Sequence, residues 1–330
     1  MAKKIMVWSA VVFFFSAAIV FAGNIKVIND AAAFPEGPCW HKDKLFYTEY
    51  GAHTVMTWDG ENNKVFWQQD GCGPSAVVPV ASDEMLVTCY DSGEIVRISS
   101  TGETVTSYKK DQEGQTFMGP NDFAVDSKGG AYFTASGPWE SAPIVGKIFY
   151  LNSDGVITEV ANDLHYANGL AMCHDGKTLY CAESEAGRVI QFAVGEDGNL
   201  SDRRLFVRVA AVDPTSGMSA YPDGLKVDSA GNLYIGQYSM GRIVVVTPDG
   251  KLLKTLEVPS TAAPNLAFNP DESKIFVMAV DDTSNAPYMG KVYEVSGNLI
   301  APTVSLLVYP GCLKLAGWDR ERSGRERSGR

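Results

Sequence analysis

The chain has 330 residues, 45% of them hydrophobic, and a formal net charge of −11, enough to bury a sizeable core in one large domain or two. The charge is uneven: Lys3 and Lys4 and the Arg-rich tail after Gly317 are basic, and removing the +2 at each end leaves the body near −15. Binding to nucleic acid or anionic lipid depends on clustered Lys and Arg, so an acidic body excludes both as expected partners.

Residues 1–22 read as a secretory signal peptide. Two lysines precede an apolar run from Ile5 to Ala22, and Val20-Phe21-Ala22 offers a small-residue cleavage signal before Gly23. The mature chain is therefore expected in a periplasm or outside the cell. The run is just long enough to span a bilayer, so an uncleaved anchor is the alternative, and membrane association is expected only then. Cysteines 39, 72, 89, 173, 181 and 312 in an oxidising compartment allow one or more disulfides without fixing their pairing.

Residues 23–316 are expected to form a single domain built on a repeat. Its copies are EGPCWHKDKLFYTEY from Glu36, SAVVPVASDEMLVTCY from Ser75, NDFAVDSKGGAYFTA from Asn121, NGLAMCHDGKTLYCAE from Asn168, DGLKVDSAGNLYIGQY from Asp223 and NLAFNPDESKIFVMA from Asn265. Each has a polar residue, an alternating apolar strand, a turn and a second strand; a Gly-led third strand and usually a fourth follow. A spacing of about 40 to 55 residues suits propeller blades. The expectation is an all-β six-bladed β-propeller with four-stranded antiparallel blades, closed by the spare strand IKVINDAAAF pairing with the last blade. The tail 317–330 is charged throughout and expected to be disordered.

The first strand of a blade lies nearest the axis, so the residues opening the copies should form a ring: Glu36, Ser75, Asn121, Asn168, Asp223 and Asn265. All are oxygen donors. Two carboxylates buried together need a compensating cation, and hard oxygen ligands suit calcium, with magnesium, manganese or zinc as substitutes. The expected ligands of this one axial ion are Glu36, Asn121, Asn168 and Asp223. Asp126, Asp175, Asp228 and Asp271 follow the first strands and read as turn formers on the opposite face. Loops on the metal face carry Trp139 and Tyr288, while Phe34, Tyr166 and Tyr221 each lie two residues before an expected ligand. Together they predict a partly apolar wall, as a small-molecule site requires. Histidine is scarce, and the zinc-protease, nucleophile-elbow, phosphate-loop and dinucleotide motifs are all missing.

FPEGPCW around Glu36, GPNDFAVDSKGGAYFT around Asn121, YANGLAM around Asn168 and YPDGLKVDSAGNLYIGQYSMGRIVVV around Asp223 resemble the senescence-marker-protein, gluconolactonase and luciferin-regenerating-enzyme-like propellers. The resemblance covers nearly all of the mature chain. It implies that Glu36, Asn168 and Asp223 bind calcium or another divalent ion, that Asp223 also handles the proton of the attacking water, and that Asn121 is either ligand or substrate contact. Sugar-lactone members often carry Arg two residues before that Asn. Gly119 stands there in this chain, which argues against gluconolactone.

The resulting expectation is a metal-dependent, gluconolactonase-like hydrolase that opens a small-molecule lactone or ester, with Asn121, Trp139, Tyr166, Tyr221 and Tyr288 contacting the substrate. Two alternatives stay open. The chain is also similar to diisopropylfluorophosphatase and paraoxonase propellers, although their histidines have no match here, so an organophosphate triester is a second substrate class. A non-catalytic propeller stabilised by calcium is the third reading. The oligomeric state is not readable.

Overall fold

The Asp turns of the repeat close on their own side chains. Asp126 Oδ1 accepts the amides of Lys128 (2.8 Å) and Gly130 (2.7 Å), and Asp228 Oδ1 those of Ala230 (3.0 Å) and Asn232 (2.7 Å). A short carboxylate that caps its own turn folds the flanking strands into an antiparallel hairpin. The computed structural model describes residues 24–80, 83–139 and 144–297. The segment read as a signal peptide and the charged tail both lie outside these residues.

Strand β1 (Asn24–Ala33) is followed by four separate four-stranded sheets. The first contains β2 (Pro35–His41), β3 (Lys44–Glu49), β4 (Thr54–Trp58) and β5 (Asn63–Gln68). Next come β6 (Pro74–Pro79), β7 (Met85–Cys89), β8 (Glu94–Ile98) and β9 (Thr104–Tyr108), then β10 (Pro120–Val125), β11 (Ala131–Ala135), β12 (Gly146–Leu151) and β13 (Ile157–Leu164). The fourth contains β14 (Ala167–Met172), β15 (Thr178–Glu183), β16 (Arg188–Val194) and β17 (Leu200–Arg208). The remaining strands are β18 (Pro222–Val227), β19 (Leu233–Gln237), β20 (Arg242–Val246), β21 (Leu252–Glu257), β22 (Ala262–Phe268), β23 (Lys274–Val280) and β24 (Met289–Ser296).

Here the expectation of six separate blades is corrected. Strands β18 to β24 and β1 form one eight-stranded sheet, in the order β1-β24-β23-β22-β19-β20-β21 with β18 on β19. The repeats at Asp223 and Asn265 therefore share a sheet. The join is a single pair, Gln237 with Ala263, and it forms because β19 carries glycine beside it. A Cβ on Gly236 would sit 2.0 Å from the Pro264 carbonyl oxygen, so any other residue would hold the strands apart. The spare N-terminal strand does close the chain onto its end: β1 pairs antiparallel with β24 from Asn24 opposite Ser296 to Ala33 opposite Met289.

Burial falls outward within each sheet. The second strands β7 and β11 are buried at every residue, whereas β9 at the rim is exposed along most of its length. Second strands therefore read as continuous apolar runs, since both of their faces meet a neighbouring sheet. Between the second and third sheets, Leu86 and Ile95 pack with Phe117, Phe123, Phe133 and Phe149. Phe133 is fully buried and stacks on Phe149 at 5.2 Å. Phe133→Ala should cost about 3–5 kcal/mol in equilibrium denaturation by urea; a cost near zero would place the core elsewhere.

Strands β2, β6, β10, β14, β18 and β22 each neighbour the next and close a ring about the axis. Cys72, just before β6, is disulfide-bonded to Cys89 at the end of β7, which ties the sheet carrying Ser75 at its inner edge.

Candidate active site

The register explains how four of the opening residues come together. Pro35, Pro120, Ala167 and Pro222 pair with Glu49, Ala135, Glu183 and Gln237 at the hairpin ends. Just beyond, each inner strand shifts register by a bulge: Asn121, Asn168 and Asp223 lie within it, while Glu36 still pairs with Thr48 immediately before the shift. Bulges re-aim side chains. These four and Ser75 line one cavity of about 250 Å³. Asn265 is different: Ala262 makes the equivalent end pair with Val280, and Asn265 lies three residues on, opposite Met278. It falls outside the cavity lining and instead donates from Nδ2 to Glu36 Oε2 at 3.0 Å.

The hydrogen bonds hold these side chains from behind. Glu36 Oε2 also accepts the Gly37 amide (2.8 Å), which leaves Oε1 available. Asn168 Nδ2 donates to Ser184 Oγ (3.2 Å), and that hydroxyl donates to the Pro222 carbonyl (2.6 Å), so the amide oxygen of Asn168 is free to face a ligand. Thr88 and Thr134 donate to the backbone carbonyls of Asn121 (2.7 Å) and Asn168 (2.8 Å), tying each sheet to the next at the level of the site.

Glu36, Asn168 and Asp223 are buried and Asn121 half-buried. Desolvation pushes the Glu36 carboxyl up to about 7. Burial, reinforced by the charges of Glu36 and Asp122, raises Asp223 well above the usual carboxylate range. Asp122 is a third buried acid raised by burial, although the Phe123 and Leu170 amides bind its two oxygens. It was not singled out from sequence, because a residue next to an apparent ligand reads as strand interior. Its signal was the Asp standing where three other copies have Gly. Among the described residues no group of three or more His, Cys, Asp and Glu is placed to hold a metal, so an ion here would draw on the amides of Asn121 and Asn168 as well as on the carboxylates.

Aromatic rings wall the mouth: Phe34, Tyr50, Tyr90, Trp139, Tyr166, Tyr238 and Tyr288. Tyr221 lies outside this lining but packs on Trp139 at 5.5 Å between ring centres. Tyr50, Tyr90 and Tyr238 were missed in the sequence, yet each directly follows a second strand, in LFYTEY, LVTCY and LYIGQY. Each also donates its amide to the residue two before an inner-ring position, Phe34, Gly73 or Tyr221. Phe34 and Tyr166 hold φ near 53°, a conformation that costs a bulky residue about 1 kcal/mol or more.

Gly119 occupies the same position with φ 62°, and a Cβ there would meet the Tyr90 ring at 2.7 Å. The Tyr90 hydroxyl donates to the Gly137 carbonyl (2.9 Å) and contacts the Tyr166 hydroxyl (3.0 Å), so the ring cannot easily yield. Gly119→Arg is expected to lower stability by about 1–3 kcal/mol, from left-handed strain and overpacking. Adding Tyr90→Ala should recover part of that loss in thermal denaturation; no recovery would show that Tyr90 is not the obstacle.

Residues 34–281 match the family model described as SMP-30/Gluconolactonase/LRE-like region. The chain belongs to this family. It is 28% identical over 256 residues to pentonolactonase XacC of Haloferax volcanii, across 76% of this chain and 83% of that protein. It is 26% identical over 198 residues to lactonase drp35 of Staphylococcus aureus strain MRSA252, across 56% of this chain and 57% of that protein. A gluconolactonase structure from Xanthomonas campestris superposes with TM-score 0.69 at 23% identity, covering 85% of this chain and 91% of that one. Regucalcin from Agrobacterium tumefaciens, a calcium-binding protein, gives TM-score 0.71 at 18% identity, covering 85% and 97%. At these identities the two structural likenesses speak for the fold alone.

Proposed function

We propose that this chain hydrolyses lactones at the mouth lined by Glu36, Asn121, Asn168 and Asp223, with one divalent cation, calcium first among them. The observation carrying this reading is that two desolvated carboxyls and two amides converge on one aromatic-walled cavity. Family membership and the lactonase relatives support it. The donor set fits a hard ion: the buried acids lack a full counter-charge, and the amides offer neutral oxygens. Glu36, Asn168 and Asp223 would hold it, with Asn121 as a further ligand or a substrate contact. A cation bound there supplies a Lewis acid for the lactone carbonyl and the positive charge that returns the acids to their ionised form.

Asp223 then has the proton work. Its carboxylate takes a proton from water as the water oxygen bonds to the carbonyl carbon, and returns it to the ring oxygen as the ester C–O bond breaks. The product is a hydroxy acid. The aromatic rings exclude bulk water and bear on the apolar part of the ring. Among the described residues none that lines the cavity is Lys or Arg, so apart from the ion, whose charge the two carboxylates offset, an anionic lactone has no counter-charge and a neutral one is favoured.

The test is a panel of sugar, alkyl and aryl lactones with a fluorophosphate, assayed on calcium-loaded protein and again after chelation. Chelator-sensitive lactone turnover is the expected result. No turnover of any lactone would overturn the reading, and fluorophosphate cleavage alone would reassign the substrate. Trp139 is partly exposed and contacts Tyr166 at 4.7 Å and Tyr238 at 5.8 Å. Trp139→Ala should raise KM about tenfold, the worth of one aromatic contact, with kcat little changed. A loss confined to kcat would remove Trp139 from the substrate wall.

A further inference from the structure

The inner strands have a second end. Their opening residues meet at the carboxylate cavity, and their later residues meet at the opposite mouth of the channel. There they line a second cavity of about 400 Å³, larger than the first. Trp40, Val78, Phe123, Leu170, Val227 and Phe268, one from each inner strand, contribute to its wall. Trp40, Val78, Val227 and Phe268 remain only partly buried. Concave apolar surface left open to water adds nothing to folding stability, and it commonly marks a binding site.

Among the described residues, Lys226 is the one charged residue in that lining. Among the described residues its half-buried ammonium has neither ion pair nor hydrogen bond. The acids that feel its charge, Glu36 and Asp122, already have hydrogen-bond donors of their own beside the first cavity. Cys39 also lines the second cavity, and burial pushes its thiol up to about 12, so it brings no negative charge. The cavity thus presents one cation in an apolar bowl, a complement to one negative charge on an apolar body. A polyanion would find too little counter-charge, and a sugar acid too few hydrogen-bond partners.

We propose that this second mouth binds a monocarboxylate with an apolar tail or ring, its carboxylate paired with Lys226 and its hydrocarbon against Val78, Phe123, Leu170, Val227 and Phe268. The site is separate from the proposed lactone site and does not depend on it. A half-buried ammonium–carboxylate contact and several buried methylenes together support binding in the micromolar range.

The experiment is isothermal titration of the calcium-loaded protein with decanoate, decanol and decyltrimethylammonium. Decanoate should bind once per chain, decanol at least about tenfold more weakly, and the cation not measurably. Lys226→Met should weaken decanoate at least about tenfold, while Lys226→Arg keeps its affinity within about threefold. Val227→Trp fills the bowl without altering charge and should also abolish binding, which keeps the test decisive if Lys226→Met fails to fold. Absence of decanoate binding, equal binding of decanoate and decanol, or retained binding in either Lys226→Met or Val227→Trp would overturn the proposal. Lys226 would then serve only to balance the axial carboxylates.

Discussion

Asp223→Asn is expected to lower kcat by about 10²- to 10⁴-fold on every lactone the parent chain opens, the usual worth of a positioned general base. The substitution keeps the shape of the side chain but removes its capacity to take a proton. It also removes a negative charge from the proposed ion site, so the measurement belongs at saturating calcium, where weaker ion binding cannot imitate lost chemistry. Stability supplies an independent readout. Asp223 is buried with Glu36 and Asp122 acting on it unfavourably, so an uncharged amide relieves repulsion in the metal-free state. The metal-free variant should therefore melt no lower than the metal-free parent at neutral pH, while calcium should stabilise it less. An active variant at saturating calcium would end the assignment of Asp223 as base.

How much of this site was legible follows from what a repeat can and cannot encode. Glu36, Asn168 and Asp223 stood out because each opens a copy of one template, and a bulge recurs early in each inner strand, directly after Glu36 and at Asn168 and Asp223. Asn265 shows the limit. Its NLAF matches the template by residue type, but the register runs from Ala262, and the side chain ends behind Glu36 rather than in the cavity. Identity marks a copy; only pairing fixes its phase. The merging of the last two repeats into one sheet was less readable still, since it rests on the pair between Gln237 and Ala263 and on the missing Cβ of Gly236. No periodicity reports a contact of that kind. Tyr50, Tyr90 and Tyr238 were readable and overlooked: a Tyr closing three second strands is a pattern, but strand ends suggest turns before they suggest walls.

Chelation is expected to abolish lactone turnover and to destabilise the protein more at pH 8 than at pH 5. The sign follows from proton counting. Without a cation, the Glu36 carboxyl has its folded value raised from 4.5 to about 7 by burial, and Asp223 is raised in the same direction. Between those limits the folded state binds more protons than the unfolded one, so stability falls as pH rises through the window, and below about 4.5 Glu36 is protonated in both states and imposes no penalty. The metal-free melting temperature should therefore drop from pH 5 to pH 8. A cation competes with these protons, so its stabilisation should grow across the same range, reaching about 2.7 kcal/mol at a hundredfold excess over Kd. For a domain of this size that is a shift of about 5–10 °C. Thermal melts at pH 5, 6, 7 and 8, with chelator or with calcium, measure both trends. A metal-free melting temperature that rises with pH would mean that the buried carboxyls are compensated within the protein. A calcium effect that does not vary with pH would place the ion away from them.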